Sequence, residues 1–93
     1  MEISFDPAKN ERNMRERGLS LERAAEFDFS TADVDVDCRH DYGETRYVAA
    51  GYLANRLHIL CFKETTNGVR VISFRKANLR EAKKYGKPIT LNQ

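Results

Sequence analysis

A ten-residue segment, residues 38–47, combines side chains that could move protons and bind anions. Its candidate catalytic residues are His40, Glu44, Arg46 and Tyr47. An imidazole or a carboxylate can remove a proton, and a guanidinium can stabilise negative charge on a reacting phosphate. Loops carried by a rigid sheet often display such groups. The alternative is a polar turn at residues 41–43, in which His40 and Tyr42 only cap backbone groups.

A second candidate catalytic residue is Arg75, the last residue of the strand predicted over residues 69–75. Arg75 could hold a phosphate in its planar guanidinium fork, or it could pair with Glu44 or Glu81. Both readings are compatible, because a salt bridge would orient the guanidinium in advance. The strand period of two predicts a shared face for Val71, Ser73 and Arg75.

A helix is predicted over residues 76–85, with Gly86 as its C-cap. Its basic residues recur every three or four positions: Lys76, Arg80, Lys83, Lys84 and Lys87. They form one stripe opposite the predicted inner residues Leu79, Ala82 and Tyr85. Such a stripe suits contact with a phosphate backbone, and the predicted RNA-binding residues are Lys76, Arg80, Lys83 and Lys84. The alternative is a solvated face.

Charge is strongly segregated along the chain, although the net charge is only +2. Residues 26–45 carry seven acidic side chains and one base, whereas residues 69–93 carry seven bases and one acid. This polarity can steer charged partners. The alternating Asp33, Asp35 and Asp37 could hold Mg²⁺, but no metal-binding motif accompanies them and edge strands commonly carry such charges. We therefore expect no metal and no cofactor.

The pattern of the elements predicts an α+β fold. Short strands are predicted at residues 2–5 and 33–37, and three further strands at 46–53, 56–63 and 69–75 form an antiparallel meander. Two N-terminal helices are predicted, at residues 8–17 and after Ser20, and one C-terminal helix follows the sheet. We expect the strand at 56–63 to be central and the helices to cover one face or one end of the sheet.

The composition of the 93 residues favours a single domain, 1–93, in the cytoplasm. No apolar run approaches the length of a membrane span, and the first residues lack the apolar core of a signal peptide. Cys38 and Cys61 have no metal-binding spacing, so buried free thiols are expected.

Four blocks of the sequence together resemble the BrnT toxins, also called the DUF497 family. They are Ile3-Ser4-Phe5-Asp6-Pro7-Ala8-Lys9-Asn10, Gly18-Leu19-Ser20-Leu21-Glu22-Arg23-Ala24-Ala25, Asp41-Tyr42-Gly43-Glu44-Thr45-Arg46-Tyr47, and Val71-Ile72-Ser73-Phe74-Arg75-Lys76-Ala77-Asn78 with Glu81 and Tyr85. The chain departs from the family where Glu16-Arg17-Gly18 replaces the common Lys-His-Gly, and where Leu21 replaces an aromatic residue. No role of that family histidine can be carried over to this chain.

The resemblance implies a RelE-like fold and a toxin that arrests growth by degrading RNA. It also implies neutralisation by a BrnA-type ribbon-helix-helix antitoxin, with operator DNA bound only through the complex. RNA cleavage without a metal needs a base, a stabiliser of the phosphorane charge and an acid. We expect Arg46 and Arg75 to stabilise charge, Glu44 or His40 to act as base, and Tyr47 or His40 to assist as acid. Alternatives are a non-catalytic nucleic-acid-binding module and a degenerate toxin that only binds its antitoxin.

Overall fold

The computed structural model describes residues 1–91. In chain order, the elements are β1 (Glu2–Ser4), α1 (Pro7–Arg17), a 3₁₀ segment (Leu21–Glu26), β2 (Asp33–Val36), β3 (Tyr47–Leu53), β4 (Arg56–Glu64), β5 (Gly68–Lys76) and α2 (Leu79–Tyr85). The α+β class predicted from the sequence is confirmed. Among the described residues, no helix is long and apolar enough to cross a membrane.

The five strands form one mixed sheet in the order β1-β5-β4-β3-β2. Strands β2 to β5 pair antiparallel, as the meander predicts, but β1 pairs parallel to β5. The prediction of a purely antiparallel sheet was therefore wrong. Tight turns fix the direction of β3, β4 and β5, whereas β1 is far from β5 in sequence and no hairpin constrains it. Gly68 permits this pairing, since an added Cβ would lie 2.0 Å from the Glu2 carbonyl oxygen.

Strand β4 is central, as predicted, and residues 57–62 are buried. Alternate side chains enter two separate apolar cores, with Leu60 and Phe62 in one and Leu57 and Ile59 in the other. The first core is closed by the 3₁₀ segment and the second by α2. Elements therefore cover both faces of the sheet, and the prediction of helices on one face or one end was wrong. A strand buried on both sides requires this double cover.

The predicted second helix begins at Ser20 as expected but is a 3₁₀ segment rather than an α-helix. Its buried side chains are Leu21 and Ala24, and Phe27 directly after it is also buried, so buried residues recur every three positions. A 3₁₀ helix has three residues per turn, so this spacing puts all three on one line toward the core. The apolar residues thus fit the 3₁₀ period better than the α-helical one.

Helix α2 is shorter than predicted, since it starts at Leu79 and not at Lys76. Asn78 is the N-cap, and its side chain forms a capping box with Glu81. Lys76 is the last residue of β5, and Leu79 is 71% exposed rather than an inner residue. Ala82 is buried, as expected.

An irregularity in β5 changes which side chains share a face. Cys61 of β4 is opposite Ser73, but the next residue, Phe62, is opposite Val71, so Ile72 is the extra residue of a bulge. Val71 consequently joins the first core, while Ser73 and Arg75 face the other side. The predicted shared face of Val71, Ser73 and Arg75 was wrong, because a bulge breaks the period of two.

Helix α1 is largely exposed, as predicted, and Asn13 is its buried residue. The Asn13 amide Nδ2 donates to the carbonyl oxygens of Leu19 and Phe74 at 2.9 and 3.0 Å. This side chain therefore ties α1 to the following loop and to the end of β5.

Asn13→Ala should destabilise the fold by about 1–3 kcal/mol, because two buried carbonyls lose their donor. Urea unfolding followed by circular dichroism would measure the loss. The exposed Arg12→Ala on the same helix is the control and should change stability by no more than about 0.5 kcal/mol. Equal stability of both variants would contradict this role of Asn13.

Candidate functional site

Arg75 and Glu81 form a two-point ion pair between the end of β5 and the first turn of α2. The Arg75 Nη1 and Nη2 atoms donate to the two Glu81 carboxylate oxygens at 2.8 and 2.7 Å. The hydrogen bonds from Arg75 lower the pKa of Glu81 to about 2 and raise the pKa of Arg75. Of the two partners considered for Arg75, the structure pairs it with Glu81. The guanidinium is thereby held in one orientation, with its side chain 36% exposed.

Arg75 lies on the border of two clefts on opposite sides of β5. The smaller, which we call the helix-side cleft, has a volume of about 270 Å³. Its lining comes from β2 and the loop after it, from the sheet and from α2: Asp35, Val36, Asp37, Cys38, Arg39, Val48, Ile59, Cys61, Ser73, Arg75, Glu81, Lys84 and Tyr85. Acidic and basic side chains are both present here.

The larger cleft has a volume of about 570 Å³, and we call it the basic cleft. It lies where the end of α1, the 3₁₀ segment, the β3–β4 turn and the end of β5 meet. Its lining residues are Arg17, Gly18, Leu19, Arg23, Leu53, Ala54, Arg56, His58, Arg75 and Lys76. Among these described residues there are five cations and no carboxylate. Such a cavity concentrates positive potential and attracts anions.

Four of these five cations are held by neighbouring groups. Arg23 pairs with Glu26 at 3.3 Å. Arg75 pairs with Glu81 at 2.7 Å, whereas the other two bind uncharged acceptors. Arg56 donates to the carbonyl oxygens of Leu57 and Ala77 at 2.6 and 3.0 Å. Arg17 donates to the Asn13 side chain at 3.0 Å. Neither contact neutralises the positive charge, because the acceptors are uncharged.

The sequence analysis missed most of the basic cleft. Arg75 and Lys76 were predicted site residues, but Arg17, Arg23, Arg56 and His58 were not. The three arginines lie far apart in the sequence, and only the fold brings them together. His58 sits in an otherwise apolar strand, so its pattern indicated core. Its polarity could have indicated a special role, because a histidine in a strand that is covered on both faces needs a hydrogen-bond partner.

The predicted residues of segment 40–47 lie elsewhere. Arg46 Nε donates to Glu44 at 2.9 Å, and the Arg46 guanidinium stacks 3.9 Å from the centre of the Tyr42 ring. Lys63 also donates to Glu44, and these two cations lower the pKa of Glu44. The His40 ring packs edge-on against Tyr42, with 5.7 Å between ring centres. None of the candidates from segment 40–47 is among the lining residues of either cleft.

Tyr47 is separated from Arg75 by the sheet itself. Its ring stacks on Phe62 at 5.5 Å and packs against the first core. A hydrogen bond with the Glu64 carboxylate raises the pKa of Tyr47, which makes the phenol a weaker acid. Arg75 faces the opposite side, so the fold does not bring these two side chains together.

The segment that lines a cleft together with Arg75 is residues 35–39, which are the end of β2 and the start of the loop after it. Asp37 is buried and accepts from Arg39 at 2.9 and 2.8 Å, and from the Tyr42 hydroxyl at 3.3 Å. These contacts with Arg39 hold the pKa of Asp37 well below its usual range. Asp37 is thus committed to an ion pair. Of the two cysteines, which are free thiols as expected, Cys61 is buried but Cys38 is exposed.

The predicted basic stripe is only partly present. Arg80, Lys83 and Lys84 are exposed on α2, and Lys84 also lines the helix-side cleft. Lys76 belongs to β5 and the basic cleft, because the helix begins three residues later. Lys87 donates to the Thr31 carbonyl at 2.8 Å and lies 3.9 Å from Asp33, so it faces the protein rather than solvent. The prediction of one continuous basic stripe from residue 76 to residue 87 was therefore wrong.

The family model of the ribonuclease toxin BrnT of type II toxin–antitoxin systems matches residues 5–81. The chain belongs to the BrnT family. It is therefore a ribonuclease toxin of a type II system, and its class implies a protein antitoxin as partner. The matched residues include the whole lining of the basic cleft and the Arg75–Glu81 pair. A search of curated proteins finds no match to the chain.

The Arg75–Glu81 pair predicts a specific pH dependence of stability. The pKa of Glu81 is lowered from 4.5 in the unfolded chain to about 2. The ionised carboxylate therefore stabilises the fold above pH 4.5, and this contribution is lost as the pH falls toward 2. At pH 7, Glu81→Gln should be less stable than the natural chain by roughly 1.5–3 kcal/mol, and the difference should shrink below pH 4.

Urea unfolding at several pH values would measure this difference. Glu16→Gln, which removes an exposed carboxylate from α1, is the control for the loss of one negative charge. A Glu81→Gln difference that stays constant from pH 7 to pH 2.5 would contradict the stabilising role of the ionised carboxylate.

Proposed function

We propose that this BrnT-family chain cleaves RNA without a metal ion, by attack of the ribose 2′-hydroxyl, and that the basic cleft holds the scissile phosphate. The observation that carries the proposal is the composition of this cleft. Its described lining has five cationic residues and no acidic one, although Arg23 is paired with Glu26 and Arg75 with Glu81 beside it. Its volume of about 570 Å³ is within the range of small-ligand sites, so one or two nucleotides can enter.

The substrate phosphate is bound by charge and shape rather than by a nucleophile of the protein. In-line attack of the 2′-oxygen generates a phosphorane whose extra negative charge must be stabilised. Arginine remains protonated and offers paired N–H donors, so it suits this task and does not suit proton transfer. Arg75 is already oriented by Glu81 at 2.7–2.8 Å. The Glu81 pair turns this guanidinium toward α2, on the face of the sheet opposite the basic cleft. We assign to Arg75 the stabilisation of the phosphorane charge, which requires the scissile phosphate to lie at the open end of β5, where the two clefts meet.

The other cations would hold flanking phosphates. Lys76 borders the basic cleft at the exposed end of β5, and Arg80 lies four residues further along the chain. Arg80, Lys83 and Lys84 on α2 would extend the contact beyond the cleft. The catalytic roles predicted for His40, Glu44, Arg46 and Tyr47 stay predictions. Their positions outside both clefts favour Arg75 over them as the centre of the site.

In the cell, cleavage of RNA would inhibit translation and arrest growth. We propose that the toxin acts in the cytoplasm and that its antitoxin is of the BrnA type, a ribbon-helix-helix protein. Operator DNA would be bound only through the complex. The RelE-like relationship of the fold also stays a prediction.

Incubation of the purified chain with RNA in excess EDTA tests the proposal directly. We expect cleavage that leaves 2′,3′-cyclic phosphate ends, and inhibition when the antitoxin is added. DNA of the same sequence should stay intact, because it lacks the attacking hydroxyl. Binding without cleavage would support a non-catalytic binding module instead. Cleavage only with Mg²⁺ would exclude the metal-free route.

Arg75→Ala should abolish growth arrest and lower the rate of RNA cleavage by about 10²–10³-fold, because the phosphorane loses its main stabilising cation. Arg75→Lys should restore only part of the rate, since an ammonium cannot make the paired contact. Growth assays and single-turnover cleavage would measure both variants. The control is Arg15→Ala, an exposed arginine of α1 outside the clefts. A folded Arg75→Ala variant with unchanged cleavage would remove Arg75 from the site.

A further inference from the structure

His58 is a buried histidine that none of the functions described so far uses. It belongs to the central strand β4, is 3% exposed, and borders the basic cleft. Its ring packs against Phe74, with 5.3 Å between ring centres. Burial of a titratable group beside an open cleft is typical of residues that transfer protons.

One hydrogen bond fixes the tautomer of His58. The ring nitrogen Nδ1 lies 2.7 Å from the backbone carbonyl oxygen of Arg56. A carbonyl oxygen can only accept, so Nδ1 carries the proton. In the neutral ring, the lone pair is therefore on Nε2. Arg56 thus orients the imidazole with its basic nitrogen on the other side of the ring.

The basic nitrogen of His58 is not fully enclosed by the protein. No protein hydrogen bond to Nε2 is found among the described residues. In the same part of the chain, no polar side-chain atom is both fully enclosed and without a hydrogen-bond partner. Nε2 consequently has solvent-accessible surface, and the cleft is the cavity that this residue borders.

The surroundings keep His58 neutral, and hence able to accept a proton. Burial lowers the pKa of His58 below its ordinary 6.5; the hydrogen bond to the Arg56 carbonyl opposes this shift, and the nearby charges of Arg56, Lys76 and Arg23 add to it. The remaining charged residues of the cleft are Arg17 on α1 and Arg75 on β5. Arg75 is paired with Glu81 on the opposite face of the sheet, and Arg23 is paired with Glu26 of the 3₁₀ segment. Strand β3 contributes only apolar neighbours, Leu53 and, in the turn, Ala54.

We propose that His58 is the general base of the RNA cleavage reaction. The inference rests on the proposed function and adds to it the residue that activates the nucleophile. Nε2 takes the proton of the 2′-hydroxyl as the bond from the 2′-oxygen to phosphorus forms. The bond from phosphorus to the 5′-oxygen then breaks, and that oxygen leaves with the electron pair and takes a proton from water. The imidazolium returns its proton to solvent, so the products are a cyclic phosphate and a free 5′-hydroxyl.

The chain contains two histidines, which makes the test direct. His58→Gln should lower the cleavage rate by about 10²–10⁴-fold with RNA affinity nearly unchanged, because only proton transfer is lost. The pH profile of the wild-type kcat/KM should have an acidic limb that lies under pH 6.5, on which kcat/KM falls about tenfold per pH unit. His58→Gln should lack this limb. His40 is the rival candidate for the base, and its imidazole is outside the basic cleft, so the assignment to His58 requires that His40→Gln keep the limb.

Loss of the limb in His40→Gln, or its survival in a folded His58→Gln, would overturn the role of His58 and leave the nuclease function intact. A wild-type chain that cleaves no RNA would overturn both. If His58→Gln does not fold, nuclear magnetic resonance of the wild-type imidazole decides, with His40→Gln to assign the signals. The proposal requires the Nδ1–H tautomer and a pKa equal to that of the kinetic limb. A different tautomer, or a pKa more than about one unit away, would reject it.

Discussion

The burial of β4 on both of its faces is the constraint on which the rest of the structure depends. Alternate side chains of residues 57–62 enter two cores, so each face of the sheet must be covered. A chain of 93 residues has little material for this. A six-residue 3₁₀ segment covers one face and a seven-residue helix the other. Such short elements leave parts of the sheet uncovered. The basic cleft lies at the open end of β3, β4 and β5, and the helix-side cleft lies on the sheet face beside α2.

Glu81 links the cover of the second core to the candidate site. The same carboxylate accepts from the Asn78 backbone in the capping box and from the Arg75 guanidinium. The start of α2 and the direction of Arg75 are therefore set by one group. This shared dependence explains why the helix cannot begin at Lys76. Its first turn must place Glu81 within reach of a side chain that ends the preceding strand.

Local sequence rules predicted the parts of the fold that depend on neighbouring residues. Asp6 and Gly18 bound α1 as capping predicts, and the Ala54-Asn55 turn takes the positive φ angles of a tight hairpin. The parallel β1 and the bulge at Ile72 depend on contacts with distant residues, which no local pattern contains. The residues of the candidate site also divide into those that a local pattern predicted and those that only the tertiary fold brings together. Arg75 was found by its position at the end of a predicted strand and Lys76 by the spacing of basic residues in the predicted helix, whereas Arg17 and Arg56 join them only through tertiary packing.

His58 shows how the local sequence pattern and the tertiary packing act together. Within β4 its neighbours Leu57 and Ile59 are buried, and by pattern alone the histidine belongs to the core. The carbonyl of Arg56 satisfies one ring nitrogen at 2.7 Å, so burial is tolerated and the tautomer is fixed. The second nitrogen would be costly inside a closed core. The open end of the sheet removes that cost, and it does so beside the cations of the basic cleft. The short elements that cover the sheet thus leave the cleft open, and they leave an oriented, neutral imidazole at the wall of that cleft.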